Sequence, residues 1–177
     1  FYFNKIMHHE IILETERLIL RKKVIEDAPF FLELNSNPLV TQYTGDGAFR
    51  NLKAAEDIVK FVIAQYEKNG YGRWLVADKI TGEPLGWCGL KLHDGTQETD
   101  LGYRFMQKYW GKGYATEASL ACIDYGFKIL NLKRIIGNAM KENVASIKVF
   151  KKLSMIYFDE SLIDGVSLVK YEIKKLI

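Results

Sequence analysis

Between positions 107 and 118 the chain reads Gln-Lys-Tyr-Trp-Gly-Lys-Gly-Tyr-Ala-Thr-Glu-Ala, its densest chemical signal. A Gly-x-Gly pair alone says little. Fourteen glycines in 177 residues give about one such pair by chance, and this chain has three, Gly45/Gly47, Gly70/Gly72 and Gly111/Gly113. Only the third stands between a strand-like and a helix-like segment. There, small residues let backbone N–H groups at a helix N-terminus approach a phosphate closely. A Walker loop is excluded because Lys112 is followed by Gly113, not Ser or Thr. A dinucleotide fingerprint is excluded because Thr116 stands where Gly or Ala is needed. Two readings stay open, a turn that binds an anionic cofactor and a tight structural turn.

The flanking elements follow from periodicity. Thr15 to Lys23 alternates as a first strand, and Glu26 to Asn35 is a short helix closed by Asn37-Pro38. Asn51 caps a longer helix whose Ala55, Ile58, Val59, Val62 and Tyr66 share one face, with Gly70 as its left-handed terminator. Arg73–Asp78, Leu85–Leu92 and Thr99–Met106 form an antiparallel meander. Gly113 to Leu130 is a helix apolar on two sides (Ala115, Ala118, Cys122 and Ile129; Ile123, Phe127 and Leu130), so it is buried against a sheet. A strand at 133–140, a helix at 144–153 and a closing hairpin through Asp164-Gly165 complete the chain. The predicted architecture is a single α/β (α+β) domain over 12–177. Its mixed, largely antiparallel seven-stranded sheet carries helices on both faces. Residues 1–11 read as an N-terminal extension or expression remnant with Met7 as the natural start, and His8 and His9 as tail residues.

Composition bounds the function. An apolar fraction of 48% and a charged fraction of 27% exclude disordered, collagenous and disulfide-scaffold classes. Cys88 and Cys122 lack the short paired spacing of a zinc site and read as buried thiols in a reducing, cytoplasmic setting; no metal site is expected. No apolar run is long enough for a membrane span. No basic stripe with exposed aromatics points to nucleic acid. The net charge of +3 hides an asymmetry: residues 1–100 hold 12 basic and 15 acidic side chains, and residues 101–177 hold 13 and 7. The positive excess therefore sits in the half carrying the glycine turn, which suits a polyanionic cofactor. The acidic half would suit a cationic amine on the acceptor side.

Asp100-Leu-Gly-Tyr-Arg-Phe-Met106, Tyr109-Trp-Gly-Lys-Gly-Tyr-Ala-Thr-Glu-Ala118, Asn143-x-x-Ser146 and Lys152-Leu153 together resemble the GNAT acetyltransferase superfamily. Leu13-Glu-Thr-Glu-Arg-Leu-Ile-Leu-Arg21 is similar to the first strand of its ribosomal-protein (RimJ/RimL-type) N-acetyltransferase branch. The resemblance implies acetyl-CoA as cosubstrate and an amine acceptor. A protein N-terminus suits the branch, with small amines, polyamines or aminoglycosides as alternatives. A non-catalytic acyl-CoA-binding module is the competing class, and the state is monomer or homodimer.

The resemblance also assigns residues. The pyrophosphate loop maps to Lys108, Gly111, Lys112 and Gly113, with backbone N–H groups through Tyr114, Ala115 and Thr116. Phe105-Met106 would splay from the strand after Lys133 to admit pantetheine, an N–H there polarising the thioester carbonyl. Asn143 would hydrogen-bond pantetheine, cap the following helix, or do both. The position where many members carry a tyrosine acid is Phe150, so protonation of the thiolate falls to Ser146, which otherwise is a second capping residue. For the general base, Glu98 and Asp100 at i, i+2 on one strand face and Glu172 on the closing strand are the candidates; each otherwise is a solvated surface charge. Glu117 caps or packs, and Tyr43, Trp74 and Trp87 line the acceptor pocket or belong to the core.

Overall fold

The computed structural model describes residues 10–176, so His8, His9 and most of the expected extension lie outside the described residues. Eight strands form one sheet in the order β1-β2-β3-β4-β5-β6-β8-β7. They are β1 (Ile11–Glu14), β2 (Leu18–Arg21), β3 (Arg73–Asp78), β4 (Pro84–His93), β5 (Glu98–Phe105), β6 (Arg134–Met140), β7 (Ile156–Ile163) and β8 (Val166–Lys174). The helices are α1 (Ala28–Ser36), the single turn α2 (Pro38–Thr41), α3 (Leu52–Asn69), α4 (Tyr114–Lys128) and α5 (Val144–Lys152).

The expected count of seven strands is corrected to eight. The stretch read as one strand from Thr15 is a hairpin, because Thr15 turns the chain: its N–H donates to the Leu18 carbonyl and its hydroxyl accepts from the Leu18 N–H. Local capping chemistry sets the helix ends as expected. Asn51 Oδ1 accepts from the Ala54 N–H, and Gly70 closes α3 at φ +79°. On α3 only Ile58 leaves the predicted apolar face for solvent, and Ile129, expected on α4, is exposed just past its end.

The pleat of β4 separates two cores. Cys88 and Leu90 face α4, whose Ala118, Cys122 and Ile123 are buried with Leu101, Phe105, Phe150 and Leu153. Trp87, one residue away, faces the opposite layer with Leu75, Ala77, Phe31, Leu34, Ala55 and Val59. Both thiols are fully buried, as expected, with their sulfurs 3.7 Å apart. Among the described residues no helix is long and apolar enough to cross a membrane.

One junction decides the shape of the site. Every neighbouring pair of strands is antiparallel except β5 and β6, which run parallel and register at a single pair, Asp100 with Ile136. Beyond it the two strands part. Each keeps a long ladder on its outer side, β5 to β4 from Gly86/Phe105 to His93/Glu98 and β6 to β8 from Arg134/Lys174 to Met140/Leu168.

Gly86 holds the far end of β5 in place. A Cβ there would stand 2.2 Å from the Arg104 carbonyl and 2.8 Å from the Phe105 Cα, both backbone atoms that cannot yield. Gly86→Ala is therefore expected to destabilise the fold by about 1–3 kcal/mol or more. At about 2–4 °C per kcal/mol for a chain of this size, a thermal melt should show a Tm several degrees lower.

Candidate active site

The glycine turn follows β5 and a single 3-10 turn at Gln107–Tyr109. Trp110 anchors it by donating its indole N–H to the Phe105 carbonyl at 2.9 Å. Gly111 and Gly113 take φ of +74° and +83°, the left-handed region open to glycine, and α4 starts at once. The amides of residues 111 to 116 donate to no protein acceptor among the described residues; the first bond of the helix runs from the Glu117 N–H to the Gly113 carbonyl. The Lys112 carbonyl is turned away, accepting from Arg17 at 3.0 Å. Six consecutive amides with the positive end of a fifteen-residue helix can donate to an anion with several oxygens, such as a diphosphate.

Glu117 fixes this turn from behind. Its carboxylate accepts from the Thr15 hydroxyl (2.6 Å), the Arg17 N–H (3.0 Å) and the Arg17 guanidinium (2.7 Å). Partial burial works to raise its pKa, and these hydrogen bonds outweigh it and hold the carboxyl below its usual range. Arg17 also stacks on Tyr114, 4.6 Å from the ring centre. Lys112 is exposed and lies 5.4 Å over the Tyr109 ring. Lys108 points away from the turn, paired with Glu83 of the β3–β4 connection at 2.9 Å. A shallow hollow of about 400 Å³ opens beside Gly113 and Thr116, and Lys152 from α5 lines it. Ala115 packs against the core.

Along the opening between β5 and β6, the Met106 N–H is engaged by the Leu85 carbonyl at 3.0 Å. Antiparallel ladders alternate their hydrogen-bonding edge, so the amides of Leu101, Tyr103 and Phe105 face β6. The polarising N–H expected at Phe105-Met106 is thus available from Phe105, and Met106 packs its side chain in the Trp87 core.

Asn143 caps α5, its Oδ1 accepting from the Ser146 N–H at 3.1 Å. The Ser146 hydroxyl accepts from Tyr103 Oη at 3.1 Å. Nothing in local sequence marked Tyr103, since the contact joins residues 43 positions apart; the alternation of β5 alone places it on the α5 face. Burial pushes its phenol up to about 12, against a smaller opposing effect of the Ser146 contact. Phe150 is 2% exposed and points its ring edge at Gly137, where a Cβ would meet its Cζ at 2.9 Å.

The three carboxylates separate. Glu98 and Glu172 are both clamped by Arg134, at 2.6 and 2.5 Å. Asp100 is buried nearest the point of parting; Arg73 Nη2 donates to both its oxygens at 3.0 and 3.1 Å, and His93 Nε2 lies 3.3 Å away. Burial raises the Asp100 pKa most strongly, but the Arg73 charge and His93 together prevail and hold it low. Arg73 lies flat across Gly102, whose missing side chain leaves the room. Next along the same face, Arg104 pairs with Asn35 and Asp46, and Lys23 sits 4.2 Å from Phe31 and 5.3 Å from Trp87. Burial, with Arg73 next, drives the Lys23 pKa well down. Although the first hundred residues are acidic in total, they and β5 bring Lys23, Arg73 and Arg104 around Trp87 on this face. Trp74 is core, edge-on to Tyr125, and Tyr43 lies in an outer turn.

Residues 17–156 match the acetyltransferase (GNAT) domain family. This chain belongs to the GNAT acetyltransferases. An uncharacterised N-acetyltransferase, p20, of Bacillus licheniformis is 37% identical over 143 residues, 80% of each chain. A GNAT-family acetyltransferase from Bacillus anthracis has a TM-score of 0.81 at 26% identity, covering 92% of this chain and 97% of its own. RimL, a ribosomal L7/L12 α-N-protein acetyltransferase solved with coenzyme A, shares the fold at a TM-score of 0.81 and 16% identity, over 93% and 98%. The GNAT chain described here is an acetyl-CoA-dependent acyltransferase.

At position 150 this GNAT member carries a structural side chain. A hydroxyl on the Phe150 ring would add volume and an unpaired polar group to a buried, closely packed position. Phe150→Tyr is expected to lower Tm and to leave kcat no higher than in the parent, measured by thermal melt and thiol release.

Proposed function

We propose that the protein acetylates a primary amine by direct attack on acetyl-CoA in a ternary complex, with the α-amino group of a polypeptide as acceptor. The observation that carries this reading is the Tyr103–Ser146 hydroxyl pair, 3.1 Å apart, which joins the strand that parts from β6 to the first turn of α5. Acetyl-CoA supplies an activated acyl group. The amides of 111–116 would hold its pyrophosphate, with Lys152 and Lys112 as nearby cations, and the Phe105 N–H would face the thioester carbonyl. Asn143 keeps its side-chain NH2 for pantetheine while its Oδ1 caps α5. Ser146 stands in the first turn of α5, where the helix dipole favours negative charge, and would hand its proton to the departing sulfur. Tyr103, kept protonated by burial, donates into Ser146 and would resupply it.

Two features support a polypeptide N-terminus as acceptor. The first is the likeness of residues 13–21 to the ribosomal-protein branch. The second is charge: the Arg73 and Arg104 guanidiniums on the acceptor face oppose a polycation such as spermidine.

Free thiol released from acetyl-CoA should therefore rise with peptides bearing a free α-amine, more than with spermidine or an aminoglycoside. Ser146→Ala should cut turnover about 10²-fold, the low end for a proton donor, because a thiolate leaves readily. Its stabilisation by acetyl-CoA in a thermal melt, about 2.7 kcal/mol at a hundredfold excess over Kd, should persist. Stabilisation without thiol release from any amine would instead identify a binding module, and unchanged turnover in Ser146→Ala would remove the proton-donor role.

A further inference from the structure

An attacking amine must shed a proton, and none of the three carboxylates near the acceptor face is placed to take it. Glu98 and Glu172 share Arg134, and Asp100 is an ion-paired anion under Arg73. Beside Asp100 stands a group that sequence patterning passed over. His93 ends β4, and its half-buried imidazole lines a cavity of about 580 Å³ between α3, the β4–β5 turn, β6 and β8. Ile136 and Asn138 line the same cavity, so it reaches the point where β5 and β6 part. Nε2 of His93 is buried without a hydrogen-bond partner and lies 3.3 Å from Asp100 Oδ2, and Nδ1 has no protein partner among the described residues.

We propose that His93 is the general base of the acetyl transfer and that Asp100 is the positioning residue that orients it. This deepens the acetyl-transfer reading above and rests on it. Asp100 Oδ2 is the acceptor within reach of that orphaned nitrogen, and taking its N–H in the reacting complex would fix the tautomer with the Nδ1 lone pair free for the amine. As the amine nitrogen bonds to the acetyl carbon and the C–S bond breaks, the amine's proton passes to Nδ1. The sulfur takes its proton from Ser146, and water later exchanges with both groups. An α-amine, near about 7.8, sheds its proton far more readily than a lysine ε-amine near about 10.4, so a neutral imidazole base suits the former. The charged groups facing the imidazole are Asp100 and Glu98 from β5, Lys91 from its own strand, Asp94 from the turn, Lys68 from α3 and Lys170 from β8. Arg73 of β3 stands behind Asp100.

Thiol release with an α-amine peptide is measured across pH 5–9 for the parent, His93→Gln and Asp100→Asn. In the parent, kcat/KM should fall on the acid side as Nδ1 becomes protonated. His93→Gln should lose about 10²-fold at pH 7 and also that acid limb, its rate climbing instead with the unprotonated fraction of the amine. Asp100→Asn should move the limb to lower pH, since the imidazolium loses its anion. His93→Gln within twofold of the parent, with the limb unmoved, overturns the proposal. Imidazole ¹⁵N spectra, assigned by the signals lost in His93→Gln, supply a readout without turnover. The Nε2–H tautomer in the parent and its loss in Asp100→Asn support the dyad, and an Nδ1–H tautomer in the parent overturns it. If the parent turns over no amine, the acetyl-transfer reading fails by itself, while the tautomer still decides the dyad.

Discussion

The parting of β5 from β6 is the constraint on which the site depends. An open ladder inside a sheet leaves backbone donors and acceptors without partners, at about 1–3 kcal/mol for each one buried and unsatisfied. The opening persists because each strand is committed elsewhere: β5 to β4 over eight paired positions and β6 to β8 over seven. Behind β6, Phe150 and Met155 pack onto Gly137, and Phe150 stacks against Tyr171 of β8. Moving β6 toward β5 would tear that packing apart. A ligand with amide groups along its length satisfies the same exposed edge without disturbing either ladder. The chain thus stores recognition of an extended, amide-bearing molecule in the one place where its own hydrogen bonding is incomplete.

The glycine turn solves a different electrostatic problem. Glu117 lies in the first turn of α4, where its charge favours the helix but opposes any anion arriving at the same N-terminus. Arg17 resolves the conflict, neutralising Glu117 while pulling the Lys112 carbonyl to the rear. With that carbonyl turned back and both glycines at positive φ, the amides are left on the front. The first hairpin therefore shapes the glycine turn although it touches it only from behind, and Thr15 and Arg17 act across about a hundred positions of sequence.

That distance marks the limit of what sequence made legible. Helix ends written in local chemistry, at Asn51, Gly70 and Asn143, could be read directly, as could the meander and the glycine turn. The break in the first strand could not, because the Thr15 turn is braced by Glu117 from the far half of the chain. Lys108 was a reasonable phosphate cation by position, but its partner Glu83 comes from a hairpin 25 residues earlier. The i, i+2 spacing of Glu98 and Asp100 did put both on one face. Arg134 and Arg73, which give them separate fates, arrive from β6 and β3. Charge summed over halves of the chain also misled. The N-terminal half is acidic in total, yet it contributes Lys23 and Arg73 to the acceptor face, since a face collects alternate residues from several strands.

Alternation gives the strongest link between fold and chemistry. Along β5, Leu101, Tyr103 and Phe105 look toward α4 and α5, while Asp100, Gly102 and Arg104 look toward α1 and α3. The proposed acid, Ser146, and the proposed base, His93, therefore lie on opposite sides of the sheet. The opening between β5 and β6 lies in the plane between them. Two groups that must hold opposite protonation states are kept from neutralising one another by the thickness of one strand. A register slip of a single residue would exchange the two faces, placing Asp100 under α5 and Tyr103 among the arginines. The eight-position β4–β5 ladder and the backbone contact at Gly86 hold that register, so the strand pairing that builds the core also assigns the chemistry to its sides.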